Sequence, residues 1–296
     1  MDRAKSCHSA FDPLTPYAAR SAFPESGHKV RGHRGSIRYR TRWHRFLLIH
    51  GLFGSLSAPG ILSAFGDATV LAPDLIGYGS YRNGAPVGWE LFEQADHVAG
   101  WLRERSDEPV DVVGHSVGGA IAVLFAGRHP KLTRSLTSIE GNLTLGDAFW
   151  SRKIATQELF EISEEVDGFR ADVAAWIGRA GVEPTPFALE VATQWLENQP
   201  ISTLRSQARA VVSATGEDAY LDGLKKFVNS GLPVHLLAGA RARSSWNVPE
   251  WLTREATTNA DIPDTGHLMM LEAPGLFARS IIRNLADSTK CRGQPE

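Results

Sequence analysis

The sequence predicts an α/β protein: a mostly parallel, twisted sheet flanked by helices, with a run of helices inserted late in the chain. Three observations predict it. Short apolar runs such as Phe46, Leu47, Leu48 and Ile49 show no polar alternation, which marks strands buried on both faces of a parallel sheet. Helix-spaced apolar positions, for example Leu91, Ala95, Val98 and Leu102, alternate with those runs. Residues 143–228 then abandon the strand pattern for one helical stripe after another.

Composition bounds the function classes. The 296 residues suffice for one large α/β domain plus an insertion, and 43% hydrophobic with 22% charged residues is the balance of a soluble globular chain. A formal net charge of −2 and the lack of a basic stripe with interleaved aromatics argue against a nucleic-acid partner. No apolar run reaches about 18 residues, so no membrane span is expected. The first residues lack a basic and then apolar pattern, and a cytoplasmic location is expected. Cys7 and Cys291 cannot make a metal site or a disulfide framework by themselves, and neither metal nor organic cofactor is implied. Composition leaves monomer and homodimer equally open.

In chain order, residues 1–34 mix Pro, Ser, His and basic residues without periodicity and predict a loosely ordered lead-in. Ile37, Tyr39 and Thr41 alternate with Arg38, Arg40 and Arg42, as in an edge strand with one solvated face. The buried strand at residues 46–49 follows and ends in His50-Gly51-Leu52-Phe53-Gly54. Val70 and Leu71 begin another strand, closed by a turn carrying Asp74, Gly77, Gly79 and Ser80; Asp74 reads as a turn anchor. The helix over residues 91–102 leads to Val110, Asp111, Val112 and Val113, a β-branched run that meets Gly114-His115-Ser116-Val117-Gly118 and an Ala-rich helix.

That junction carries chemistry. Gly-x-Ser-x-Gly between a buried strand and a helix places a serine at a sharp corner, with a strained backbone and glycines where strand and helix approach closely. Ser116 is thereby the candidate nucleophile, and the Val117 N–H, at a helix start without an intrahelical acceptor, is a candidate oxyanion donor. Residues 132–139 give the next strand, closing on Glu140, Gly141 and Asn142. Stripes follow at Phe169/Val173/Trp176/Ile177, Phe187/Val191/Trp195, Ile201/Leu204/Ala208/Val211/Val212 and Tyr220/Leu224/Phe227/Val228. Most of these aromatics read as core of the insertion; Phe53, Phe149 and Trp150 are the candidates for a substrate pocket. The strand pattern resumes at residues 233–239, and a last helix is expected over residues 273–285.

Taken together, the His-Gly-x-x-Gly loop, the Asp-x-x-Gly-x-Gly-Ser turn and the serine corner resemble the α/β-hydrolase family, from Gly35 onward. The resemblance implies an α/β-hydrolase core at 35–142 and 229–296 with a helical cap at 143–228. It implies that the Leu52 N–H is the second oxyanion donor, that His50 holds its loop, and that His115 is a packing residue. It also implies that His267, in Asp264-Thr265-Gly266-His267, is the catalytic histidine. One departure stands out: the loop after the strand at 233–239, where most members place the triad acid, has no carboxylate before Glu250. A subset of the family takes its acid from the end of the sixth strand, the place of Glu140; Asp264 stays open as the alternative.

The expected function is a serine hydrolase that cleaves a small, largely apolar carboxylic ester or lactone through an acyl-enzyme, its partner being a small-molecule substrate. Amidase or aminopeptidase, thioesterase and carbon–carbon hydrolase activities use the same triad. The missing acid in the usual loop also leaves open a weakly catalytic, receptor-like member. Dehalogenase and epoxide hydrolase chemistry is not expected, because the family's enzymes of that kind carry an aspartate where this chain has Ser116.

Overall fold

Among the described residues six strands run parallel, in the order β2-β1-β3-β4-β5-β6. They are β1 (Arg45–Ile49), β2 (Thr69–Leu71), β3 (Val110–His115), β4 (Thr133–Ile139), β5 (Val234–Gly239) and β6 (Thr258–Ile262). This computed structural model describes residues 44–291. The lead-in at 1–34, the edge strand expected at Ile37, Tyr39 and Thr41, and Cys7 lie outside the described residues.

The alternation within each buried strand explains why the sequence shows none. Leu47 and Ile49 pack on one face of the sheet with Val110, Val112 and Leu136, while Phe46 and Leu48 pack on the other with Val113, Leu237 and Phe277. Successive side chains point to opposite faces, and both faces are covered, so Phe46 to Ile49 of β1 are apolar without a break. The flanking helices are α1 (Pro59–Leu62), α2 (Leu91–Arg103), α3 (Val117–Arg128), α10 (Glu250–Glu255), α11 (Met269–Glu272) and α12 (Pro274–Cys291). α2 begins with a capping box: the Glu90 carboxylate takes an N–H of the first turn, and Glu93 accepts the Glu90 N–H at 2.7 Å. α12 runs beyond the expected end at Leu285.

Six helices interrupt the sheet between β4 and β5: α4 (Phe149–Thr156), α5 (Leu159–Ala171), α6 (Val173–Arg179), α7 (Pro186–Glu197), α8 (Ile201–Thr215) and α9 (Asp218–Asn229). One expectation needs correction here. The Phe169, Val173, Trp176 and Ile177 stripe is not one helix, because Asp172 leaves helical geometry at φ −144° and caps α6 by accepting the Ala175 N–H at 2.9 Å. An aspartate whose oxygen satisfies a free N–H ends one helix and starts the next without disturbing the apolar spacing.

Strand register sets up the site. His115 pairs with Ile139, and Ile139 with Leu237, so Ser116 and Glu140, one residue beyond each strand, emerge side by side at the carboxyl end of the sheet. β1 ends in the same register, with Ile49 opposite Gly114. The chain moves outward from β1 to β2 and then crosses back to β3, which makes the β1–β3 boundary a topological switch point, where open α/β sheets bind ligands.

Candidate active site

At that boundary β3 turns into α3 within one residue, and Ser116 is the corner. Its φ of 55° and ψ of −124° lie outside the regions that L-residues favour, at a cost of about 1–3 kcal/mol. The corner is held on both sides. The Ser116 N–H donates to the Ile139 carbonyl at 3.0 Å, and the Ser116 carbonyl accepts from Asn142 N–H at 3.0 Å and Gly119 N–H at 2.9 Å. A Cβ on Gly118 would stand 2.2 Å from the Ile49 carbonyl oxygen, so the motif glycine there is a packing necessity. The Ser116 hydroxyl has no hydrogen bond among the described residues and lines a cavity of about 420 Å³.

His267 lines the same cavity, in the loop between β6 and α11. Its Nδ1 lies 2.6 Å from Glu140 Oε2, while Glu140 Oε1 accepts the Gly239 N–H at 2.7 Å. Glu140 is 7% exposed, so both of its oxygens are committed inside the protein. Like Ser116, Glu140 has a positive φ, 41°, and Asp264, in the turn before His267, is the third such non-glycine among the described residues. Backbone strain thus gathers around this one site. The Asp264 carboxylate, however, makes no bond to His267; only its backbone carbonyl is used, by Arg241. Glu250, exposed at the start of α10, pairs with Arg254. Of the carboxylates raised by the sequence, the structure brings Glu140 alone to His267.

The oxyanion candidates face the cavity from both sides of the switch point. Neither the Leu52 nor the Val117 N–H has an acceptor among the described residues, and both residues line the cavity. His50 explains how Leu52 is aimed. Its Nδ1–H donates to the Gly51 carbonyl at 2.9 Å, and in a trans peptide the next N–H points the opposite way. The Tyr78 hydroxyl fixes the following peptide by donating to the Leu52 carbonyl at 2.8 Å. Burial lowers the His50 pKa from 6.5 to about 4, so the ring is neutral and its Nε2 is a lone pair, buried without a partner.

His115, expected to be a packing residue, does more. Its Nε2–H donates to the His267 carbonyl at 2.9 Å, and the two rings lie 4.6 Å apart. Burial, reinforced by the neighbouring His267, pushes its pKa well below the ordinary value, so it braces the histidine loop as a neutral donor.

The helical insertion closes the cavity. Phe53, Phe149 and Trp150 line it, and so do Phe169, Trp176 and Trp195, which the sequence assigned to the core of the insertion. Phe169 stacks on Trp176 at 5.7 Å, and Phe53 meets both edge-on. The end of α7 grips the loop that carries Leu52: the Asn198 amide donates to the Gly54 carbonyl at 2.9 Å, and Gln199 Oε1 accepts the Gly54 N–H at 3.3 Å. Gly54 has φ +97° and lies against the Trp195 indole, where a Cβ would fall 2.3 Å from the ring. Asn142, whose Oδ1 is buried without a partner, also lines the cavity. Sequence reasoning passed over it, as it did Arg179 and Asp147, because nothing local marks them. No cluster of three or more metal-ligating side chains occurs among the described residues, and none of their helices is long and apolar enough to cross a membrane.

Comparison with known proteins agrees with this fold. A 2-hydroxymuconate semialdehyde hydrolase of Pseudomonas putida is 32% identical over 120 residues, 38% of this chain and 42% of the relative, so this match spans under half of that protein. A 2-(acetamidomethylene)succinate hydrolase of Mesorhizobium japonicum is 25% identical over 241 residues, 72% of this chain and 86% of the relative. Among solved structures, a carboxylesterase of the thaumarchaeon Nitrososphaera gargenis superposes with a TM-score of 0.62 at 17% identity, covering 86% of this chain and 94% of the other. An N-acyl homoserine lactonase complexed with N-butanoyl homoserine gives 0.61 at 18% identity, covering 85% and 92%. Residues 46–280 match the model of the family described as the alpha/beta hydrolase family, and the chain belongs to that family.

Proposed function

We propose that this hydrolase cleaves a small, largely apolar carboxylic ester or lactone through an acyl-enzyme on Ser116, beneath a cap formed by residues 143–228. The observation that carries the reading is the Glu140–His267 pair at 2.6 Å, sharing a cavity with an unbonded serine hydroxyl at a strained corner. With Nδ1–H held by Glu140, the other ring nitrogen of His267 is the base. It takes the Ser116 proton as Oγ attacks the acyl carbon, and the Leu52 and Val117 N–H groups receive the developing oxyanion. The imidazolium returns the proton to the leaving oxygen. Water, deprotonated by the same nitrogen, then attacks the acyl carbon and frees Ser116 and the acid. The aromatic walls of the cavity support an apolar acyl or alcohol part.

Carbon–carbon bond hydrolysis with the same triad is a second reading, favoured by the Pseudomonas putida relative's name. The receptor-like reading loses its motive, since Glu140 supplies the carboxylate that the loop after β5 lacks. Stoichiometric labelling of Ser116 by a fluorophosphonate, with release of p-nitrophenol from short-chain p-nitrophenyl esters, tests the proposal. Inertness to both, by folded protein, refutes it.

A further inference from the structure

The charged side chains that line the cavity are unequally occupied. Glu140 is spent on His267 and Gly239. Asp147 accepts from the Leu143 and Thr144 N–H groups and the Thr144 hydroxyl through Oδ2 and from the Asn247 N–H through Oδ1, so both of its oxygens already have donors. Arg179 is different. It lines the cavity, is exposed, and makes no ion pair or hydrogen bond with another described residue.

Its surroundings are built rather than loose. Arg179 is the last residue of α6, and a Cβ on Gly266, next to His267, would sit 3.3 Å from the carbonyl oxygen of Ala180. Arg241 ties the two segments together, donating to the Gly181 carbonyl at 3.1 Å, to the Asp264 carbonyl and to the Glu272 carboxylate at 2.5 Å. The Arg179 guanidinium carbon lies 5.5 Å from the centroid of Phe169, whose ring belongs to the cavity wall. A cation–π contact uses none of the guanidinium N–H donors as hydrogen bonds, and their fork geometry matches a carboxylate. A cation complements the carboxyl end of a helix, but that does not account for its place in the wall of an aromatic cavity beside the histidine loop.

We propose that the cavity takes substrates bearing a carboxylate apart from the scissile acyl group, and that Arg179 binds this carboxylate. The inference deepens the hydrolase reading and rests on it for the word substrate. Its test therefore reads binding as well as turnover. Ligands come in size-matched neutral and anionic pairs: adipamide against adipic monoamide for the acyl side, and p-hydroxybenzamide against p-hydroxybenzoate for the leaving-group side. Binding is followed by the fluorescence of the cavity tryptophans, and kcat/KM is compared for p-nitrophenyl hexanoate and mono-p-nitrophenyl adipate.

In at least one pair the wild type is expected to prefer the anionic member by about 10- to 100-fold, the scale of one charge-assisted hydrogen bond. Arg179→Gln is expected to collapse that ratio, and Arg179→Lys to keep part of it. A wild type without anionic preference in either binding pair overturns the proposal, as does a preference that survives Arg179→Gln in a folded variant. An Arg179-dependent binding preference in a protein inert to every ester upholds the carboxylate site and sinks the hydrolase reading alone.

Discussion

Replacing Glu140 by Gln keeps the shape of the side chain and asks it to do something it cannot. Both of its partners are donors: the Gly239 N–H at 2.7 Å and, in the working tautomer, the His267 Nδ1–H at 2.6 Å. A carboxylate accepts both; an amide has one oxygen and one NH₂. If the amide oxygen faces Gly239, the NH₂ meets Nδ1, which must give up its proton; the proton moves to the other ring nitrogen, and the base is lost. If the oxygen faces His267, the NH₂ opposes the Gly239 N–H at a position only 7% exposed, leaving buried donors unsatisfied at about 1–3 kcal/mol each. Loss of the working tautomer in other triads lowers kcat about 10⁴-fold, so Glu140→Gln is expected to lower kcat on p-nitrophenyl esters by about 10³- to 10⁴-fold. KM changes far less. Asp264→Asn, which touches no bond to His267, stays within a few-fold of wild type. Ala242 lines the cavity together with His267, so Ala242→Asp in the Glu140→Gln background recovers part of the rate. A Glu140→Gln enzyme within a few-fold of wild type, or an Asp264→Asn enzyme that is the crippled one, refutes the assignment.

Three further outcomes follow from the same geometry. His50→Ala frees the Gly51 carbonyl and with it the aim of the Leu52 N–H, so kcat falls by about 10- to 100-fold, short of deleting a donor; an unchanged kcat removes His50 from the oxyanion loop's support. Trp150→Ala opens the cavity wall 39% exposed at its rim, raising KM several-fold for the larger acyl groups while kcat for acetyl esters changes little; equal kinetics across a chain-length series contradict this. Stability depends on pH through His50 and His235, whose folded pKa values burial lowers from 6.5 to about 4. Between those values the unfolded chain binds more protons than the folded one, so stability is full above pH 6.5 and declines toward pH 4. The slope reaches about 1.4 kcal/mol per pH unit for each histidine, measurable by urea titration; a flat profile across the window refutes it.

The sheet was legible because physics writes it locally. A strand covered on both faces cannot alternate, and Phe46, Leu47, Leu48 and Ile49 say so directly. The strained corner was legible through the glycine at 118 that close approach demands. Glu140 was legible by an absence, since the loop holding Ala240 to Trp246 has no carboxylate, and a histidine base needs one. The break at Asp172 went unread because a cap in mid-stripe preserves apolar spacing; an aspartate directly before a new apolar turn was the available signal. The bond from His115 to the carbonyl of His267 joins positions 152 residues apart, and the exposure of Arg179 to the cavity depends on how α6 meets the histidine loop. Such relations exist only in three dimensions.

The grip of α7 on Gly54 has a consequence for how this insertion can vary and move. Asn198 and Gln199 hold both backbone groups of a residue two positions after Leu52, and the Asn198 carbonyl also takes the Gly79 N–H at 2.9 Å. Swinging α7 off the sheet breaks these bonds to the loop that carries Leu52, so on this side the insertion and that loop move together. The opposite side, where Phe149 is 64% exposed on α4, carries no such latch to the oxyanion loop. Exchanging the insertion for a relative's therefore also changes, through two amide side chains, what holds the loop of Leu52.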